Sequence, residues 1–122
     1  MSACRQSGKT KITIIGAGNV GGLAALRIAQ EDLGDVLLID VVPGMAKGKA
    51  FDLEDCRQIL GMDYGIKGTD DISQVRGSGI VVITAGLARK PGMTREDLLA
   101  KNAAILKGIC DRIRTLANDA VV

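Results

Sequence analysis

An α/β fold, in which helices cover both faces of a parallel sheet, is what this sequence predicts, and two observations carry the prediction. Short apolar runs alternate with longer segments whose apolar residues recur at helical spacing, which is the pattern of strand-helix-strand units. Ile12 to Ile15 and Val36 to Ile39 also have the composition of buried strands. Strands are therefore expected near 11 to 15, 36 to 40, 66 to 69 and 80 to 84, with a fifth beginning near Ala120. Right-handed crossovers would set those starting near 66, 36, 11 and 80 side by side in that order.

The first helix should run from about Asn19 to Asp32, with Val20, Leu23, Ala24 and Ile28 on its buried side and Gly34 as its stop. Pro43 suits the first turn of the second helix, whose apolar side continues through Ala46, Ala50, Leu53 and Ile59 although Gly48 weakens it. A third helix starts after Thr94, where Asp97 three places on completes a capping box. Its stripe is Leu98, Ile105, Ile109, Ile113 and Leu116. Residues 1 to 10 read as a polar extension, so the domain proper is 11 to 122.

Bulk properties exclude several classes. The 122 residues suffice for one domain, and 16 basic against 14 acidic residues leave a net charge of +2 with no basic block. Nucleic-acid binding has little support. No apolar stretch is long enough to span a bilayer, and the first residues lack a signal peptide's hydrophobic centre, so a cytoplasmic location is expected. Cys4, Cys56 and Cys110 are widely separated and read as free thiols, without metal-binding spacing. The chain contains no histidine, so imidazole acid-base chemistry cannot be completed within it.

Gly16, Ala17, Gly18, Asn19, Val20 and Gly21 fit the spacing G-x-G-x-x-G directly after the first strand. The first glycine permits a tight turn, the second lets backbone approach a pyrophosphate, and the third allows close helix packing. Alone this spacing is weak evidence in a chain with 16 glycines. Context strengthens it, because Asp40 ends the next strand 19 positions after Gly21, near the separation of about 20 expected of a ribose-binding acid. Its carboxylate would repel a 2′-phosphate, and Val41 and Val42 follow where an NADP site usually offers arginine. The pattern favours NAD on a Rossmann-type sheet. Ser7 to Thr10 superficially suggests a P-loop, but position 3 is alanine and no strand precedes it.

The strand ending at Thr84 leads into a loop carrying Arg89, Lys90 and Arg95, with a turn at Pro91 and Gly92. Such a loop lies at the carboxyl end of the sheet, where ligands of open α/β folds bind. Two arginines there suit a small dicarboxylate, while a solvated charge cluster is the competing reading.

Gly16 to Gly21, Leu38-Ile39-Asp40 and Ile83 to Gly86 followed by Arg89-Lys90-Pro91-Gly92-Met93-Thr94-Arg95 together resemble the lactate/malate dehydrogenase family, on its malate dehydrogenase side and in the lactate-dehydrogenase-like branch. The resemblance extends from about Lys11 to the last residue. It implies NAD as cofactor, malate and oxaloacetate as substrates, and a homo-oligomeric full-length enzyme. It makes Arg89 the clamp for the distal carboxylate, where lactate enzymes usually place glutamine, and Arg95 the group that polarises the reacting carbonyl. Asn102 matches an asparagine that contacts the cofactor, although a structural amide on the helix's apolar stripe is the alternative. Gly86 would offer backbone near the cofactor. Ala88, where relatives often carry proline, departs from the pattern. The family's histidine and aspartate pair, another substrate arginine and a further asparagine are not in this sequence, which ends inside what looks like the fifth strand. The expectation is therefore the amino-terminal, NAD-binding portion of a longer enzyme, catalytically silent in isolation. A lactate or other 2-hydroxy-acid dehydrogenase, or a dinucleotide-binding fragment without catalysis, are the alternatives.

Overall fold

A computed structural model describes residues 8–122, so most of the polar extension, with Cys4 and Ser7, lies outside the described residues. Four parallel strands form one sheet: β1 (Lys11–Ile15), β2 (Asp35–Ile39), β3 (Ile66–Thr69) and β4 (Ile80–Ile83), in the order β3-β2-β1-β4. That is the expected order. The register sets Ile14 beside Leu38 and Val82, and Leu38 beside Gly68. Val121 continues the sheet beyond β4 as a single parallel bridge to Ile80, its N–H donating to Gly79 O at 2.9 Å. Here the fifth strand was expected.

Three helices and one 3-10 turn connect the strands: α1 (Asn19–Gln30), α2 (Met45–Leu60), the turn Ile72–Val75, and α3 (Arg95–Leu116). Because successive strand residues point to opposite faces, each strand feeds two cores. Ile14, Val36, Leu38 and Ile66 pack with Ala25 and Ala29 of α1 and Ala46 and Ala50 of α2. Ile15, Leu37, Ile39 and Val81 pack on the other face with Val75 of the 3-10 turn and Ile113 of α3. Helices thus cover both faces.

Close approach dictates the small residues. A Cβ on Gly68 would lie 2.1 Å from Ala46 O, because the start of α2 crosses directly over β3. The α2–β3 connection is held by the Tyr64 hydroxyl donating to Leu53 O at 2.8 Å and by Glu54 accepting from Ile66 N at 3.2 Å. Burial, and after it the neighbouring Cys56, push the Tyr64 phenol up, which keeps it a donor.

Several local expectations are corrected. The buried side of α1 is Gly21, Gly22, Ala25 and Ala29, while Val20 and Leu23 are 70% and 64% exposed. Helical spacing alone does not select a face when glycine and alanine allow the closest approach to the sheet. The helix ends not at Gly34 but at Glu31, where Asp32 turns left-handed at φ 55 and Leu33 N donates to Ile28 O at 3.1 Å. Gly34 serves packing instead, since its Cβ would lie 2.3 Å from Thr10 O. Pro43 precedes α2, whose N-cap is Gly44 at φ 77, and Ile59 is 87% exposed near that helix's end. β2 begins at Asp35 and stops before Asp40, and β4 stops before Thr84, so both side chains stand at the sheet's carboxyl edge.

Candidate functional site

The glycine-rich segment leaves β1 and turns into α1 at that carboxyl edge. Gly16 adopts φ 112, and a Cβ there would lie 2.7 Å from both Ala85 N and the Thr84 hydroxyl oxygen. Left-handed backbone and lack of room both require glycine. At Gly21 a Cβ would approach Gly16 O to 1.8 Å, so this glycine allows the helix to pack against the strand's end. Gly18 differs: a Cβ there would meet nothing within 4 Å, and the residue is the exposed N-cap of α1 without a side-chain cap. The helix's first amides are left to an outside acceptor, and the space before them suits an anion. Exposed Asn19 and Val20 form the start of that turn, and Ala17 is buried beneath it.

Asp40 is bound into this loop. Its Oδ2 accepts from Ala17 N at 2.8 Å and its Oδ1 from Val42 N at 3.0 Å. Each carboxylate oxygen has a second lone pair, so the group keeps capacity for the hydroxyls of a ribose. Sequence reasoning assigned only the ribose contact and missed the brace on the glycine loop, which pairing between β1 and β2 alone makes possible.

The loop after β4 leaves the same edge, on the other side of β1. Thr84 N donates to Ile15 O at 2.9 Å, and the Thr84 hydroxyl donates to Gly16 O at 3.1 Å. Thr84 was not singled out from the sequence; nothing in a lone threonine after a strand announces a partner 68 residues away. Asn102 of α3 clamps the loop's backbone, its Oδ1 accepting from Leu87 N at 2.7 Å and its Nδ2 donating to Leu87 O at 3.4 Å. The polar amide on an apolar stripe thus has a structural partner, and Gly86 lies against it, a Cβ there coming within 3.4 Å of Asn102 Oδ1.

Arg89 and Arg95 lie farther along. Arg89 is exposed and turns its Nε onto Met93 O at 3.2 Å across a turn in which Gly92 adopts φ 84. Its two terminal nitrogens remain for a ligand. Arg95 opens α3 and is exposed, and its side chain makes no hydrogen bond or ion pair among the described residues. The preceding Thr94 and Asp97 form the expected capping box. The structure therefore links Gly16, Ala17, Asp40 and Thr84 by hydrogen bonds and joins Asn102 to Leu87. Among the described residues no hydrogen bond joins the Arg89 or Arg95 side chain to either group. Among the described residues no cluster could hold a metal ion, and no helix is long and apolar enough to cross a membrane.

Comparison with known proteins meets this geometry. The lactate/malate dehydrogenase NAD-binding domain matches residues 10–122. A malate dehydrogenase of Chlorobium limicola is 49% identical over 113 residues, which are 92% of this chain and 36% of that protein. Among solved structures, the apo malate dehydrogenase of Picrophilus torridus superposes with a TM-score of 0.86 at 40% identity, over 92% of this chain and 36% of that one. A lactate dehydrogenase of Cryptosporidium parvum, solved with lactic acid and NAD, gives 0.81 at 33% identity, over 92% of this chain and 35% of that one. The chain spans about a third of the length of these relatives.

Proposed function

This chain belongs to the lactate/malate dehydrogenase family, and from that premise we propose that it supplies the cofactor site and substrate loop of an NAD-dependent malate dehydrogenase, interconverting malate and oxaloacetate. The observation that carries the reading is the placement of two loops at one sheet edge: the glycine loop braced by Asp40, and the arginine loop leaving the adjacent strand. The residues fit the cofactor. Gly18 leaves open space before uncapped helix amides, suited to a diphosphate, and Asp40 retains acceptor capacity for the adenosine ribose.

When bound, the nicotinamide supplies hydride transfer. The chain's own residues orient the substrate and stabilise charge. Arg89 pairs with the carboxylate that malate has and lactate lacks, using its terminal nitrogens in a bidentate grip. Arg95 stabilises negative charge developing on the substrate oxygen, an effect that grows once water is excluded. Arginine keeps its charge at neutral pH and is a poor proton source, and these 122 residues contain no histidine to take that part. Asn102 holds Leu87 in place, and its remaining amide proton is the group assigned to the cofactor.

A lactate-specific enzyme is the second reading, and Arg89 argues against it. The cytoplasm as location and a homo-oligomeric whole protein belong to the same proposal; free Cys56 and Cys110 accord with a reducing compartment. Titration of the purified chain with NADH and NADPH, beside an assay of oxaloacetate reduction, tests the reading. NADH binding without turnover is expected of the isolated chain. Preference for NADPH, or turnover near about 10 per second, would overturn the assignment of roles.

A further inference from the structure

The peptide unit between Gly16 and Ala17 is held at both of its polar ends by side chains from the strands on either side of β1. Its N–H donates to Asp40 Oδ2 at 2.8 Å, just past β2, and its carbonyl accepts from the Thr84 hydroxyl at 3.1 Å, just past β4. The N–H and C=O of a trans peptide point in opposite directions, so two such contacts fix the plane's rotation. Intrinsic preference would not do so, because Gly16 at φ 112 has few steric restraints of its own. Room for the hydroxyl comes from the glycines: a Cβ on Gly16 or Gly21 would lie 2.7 Å or 2.8 Å from the Thr84 hydroxyl oxygen.

We propose that Thr84 is a positioning residue for nucleotide diphosphate binding, setting the Gly16–Ala17 peptide plane and through it the direction of the amides at the start of α1. The inference rests on the cofactor reading above. A consequence is that the first and third glycines of the fingerprint do more than permit a turn and a close helix. They also clear the niche in which the threonine hydroxyl works.

Thr84→Val keeps shape and volume but removes the O–H donor, and Thr84→Ser keeps the donor. Two measurements on the full chain decide the matter: amide hydrogen exchange at Ala17 without ligand, and NMR titrations with ADP and with adenosine, which lacks the diphosphate. Thr84→Val is expected to speed exchange at Ala17 and to weaken ADP binding, each about fivefold, the size of one neutral hydrogen bond. Adenosine binding should hold, and Thr84→Ser should restore the original values. Unchanged exchange in Thr84→Val, an equal loss for adenosine, or a serine variant that behaves like valine would overturn the proposal. If the original chain bound neither ADP nor NADH, the cofactor reading would fall, while Ala17 exchange would still decide whether Thr84 sets the loop.

Discussion

The two loops at the sheet's carboxyl edge are built on opposite principles. The glycine loop is short, and contacts from β2, β4 and α1 constrain it: Asp40 and Thr84 grip one peptide, and Gly21 brings helix and strand together. The arginine loop is tied near its two ends, by Asn102 on Leu87 and by the Thr94–Asp97 capping box, and residues 88 to 92 between those ties are exposed. A diphosphate site gains from amides directed before the ligand arrives, since little ordering is then left to the moment of binding. Under the proposed function, the arginine loop would admit a dicarboxylate and then exclude water, a task that suits a segment able to close.

The sharpest way to break this contrast is within the glycine loop itself. Gly21→Ala drives a methyl to 1.8 Å from backbone, so stability in urea should fall by about 3 kcal/mol or more. Gly18→Ala meets no protein atom, so stability should move by less than about 0.5 kcal/mol while NADH affinity drops. Equal destabilisation by the two would show that Gly18 is also a packing residue.

In the arginine loop the effect should fall on chemistry rather than folding. If Arg89 is the clamp proposed above, Arg89→Gln in the whole enzyme should cost on the order of 3 kcal/mol, or about a hundredfold in kcat/KM for oxaloacetate. Pyruvate reduction should hold or rise, with the urea midpoint unchanged. Equal loss for both keto acids would make Arg89 a loop-closing residue.

Asp40 joins the two concerns. Replacing it with serine and Val41 with arginine should raise the NADPH-to-NADH affinity ratio about tenfold or more. Because Asp40 also accepts from Ala17 N, Ala17 amide exchange should accelerate in the same variant. An unchanged ratio in a binding titration would count against Asp40 as the ribose acid.

The smallest effects should come from the ties of the arginine loop. Asn102→Ala and Thr94→Ala each remove hydrogen bonds at one end of it, and each should cost about 1 kcal/mol in thermal or urea unfolding. Faster proteolysis within residues 88 to 92 should accompany either. No change in either measurement would mean that the loop is held by something other than these ties.

Much of this was legible before any coordinates. Continuous apolar runs marked the strands because parallel strands are buried on both sides, and the capping box marked the start of α3 because its two hydrogen bonds are local in sequence. The glycine spacing and Asp40 marked the cofactor side for the same reason: the turn and the following helix are encoded within a few residues. The face of α1 was read only in part: Ala24 and Ile28 pack against the core as expected, while Val20 and Leu23 have the right spacing and hydrophobicity for burial yet are exposed. What decides the centre of that face is close approach: Gly21 meets the backbone of Gly16, Gly22 lies against Lys49 of α2 and Ala25 is fully buried, while the larger Leu26 and Ile28 pack at its margins.

The sequence by itself determined the element order, the parallel sheet, the glycine turn with its acid, and the arginines of the loop after β4, because each depends on periodicity or on chemistry between near neighbours. Only the tertiary structure decided that Asp40 braces Ala17, that Thr84 reaches Gly16, that Asn102 clamps Leu87, and that Gly34 and Gly68 make way for Thr10 and Ala46. Those contacts join residues 15 to 68 positions apart, or elements that meet through strand pairing and helix docking. Such distances carry no local signal: a carboxylate or hydroxyl at a strand's end has many possible partners, and the register of the sheet selects one.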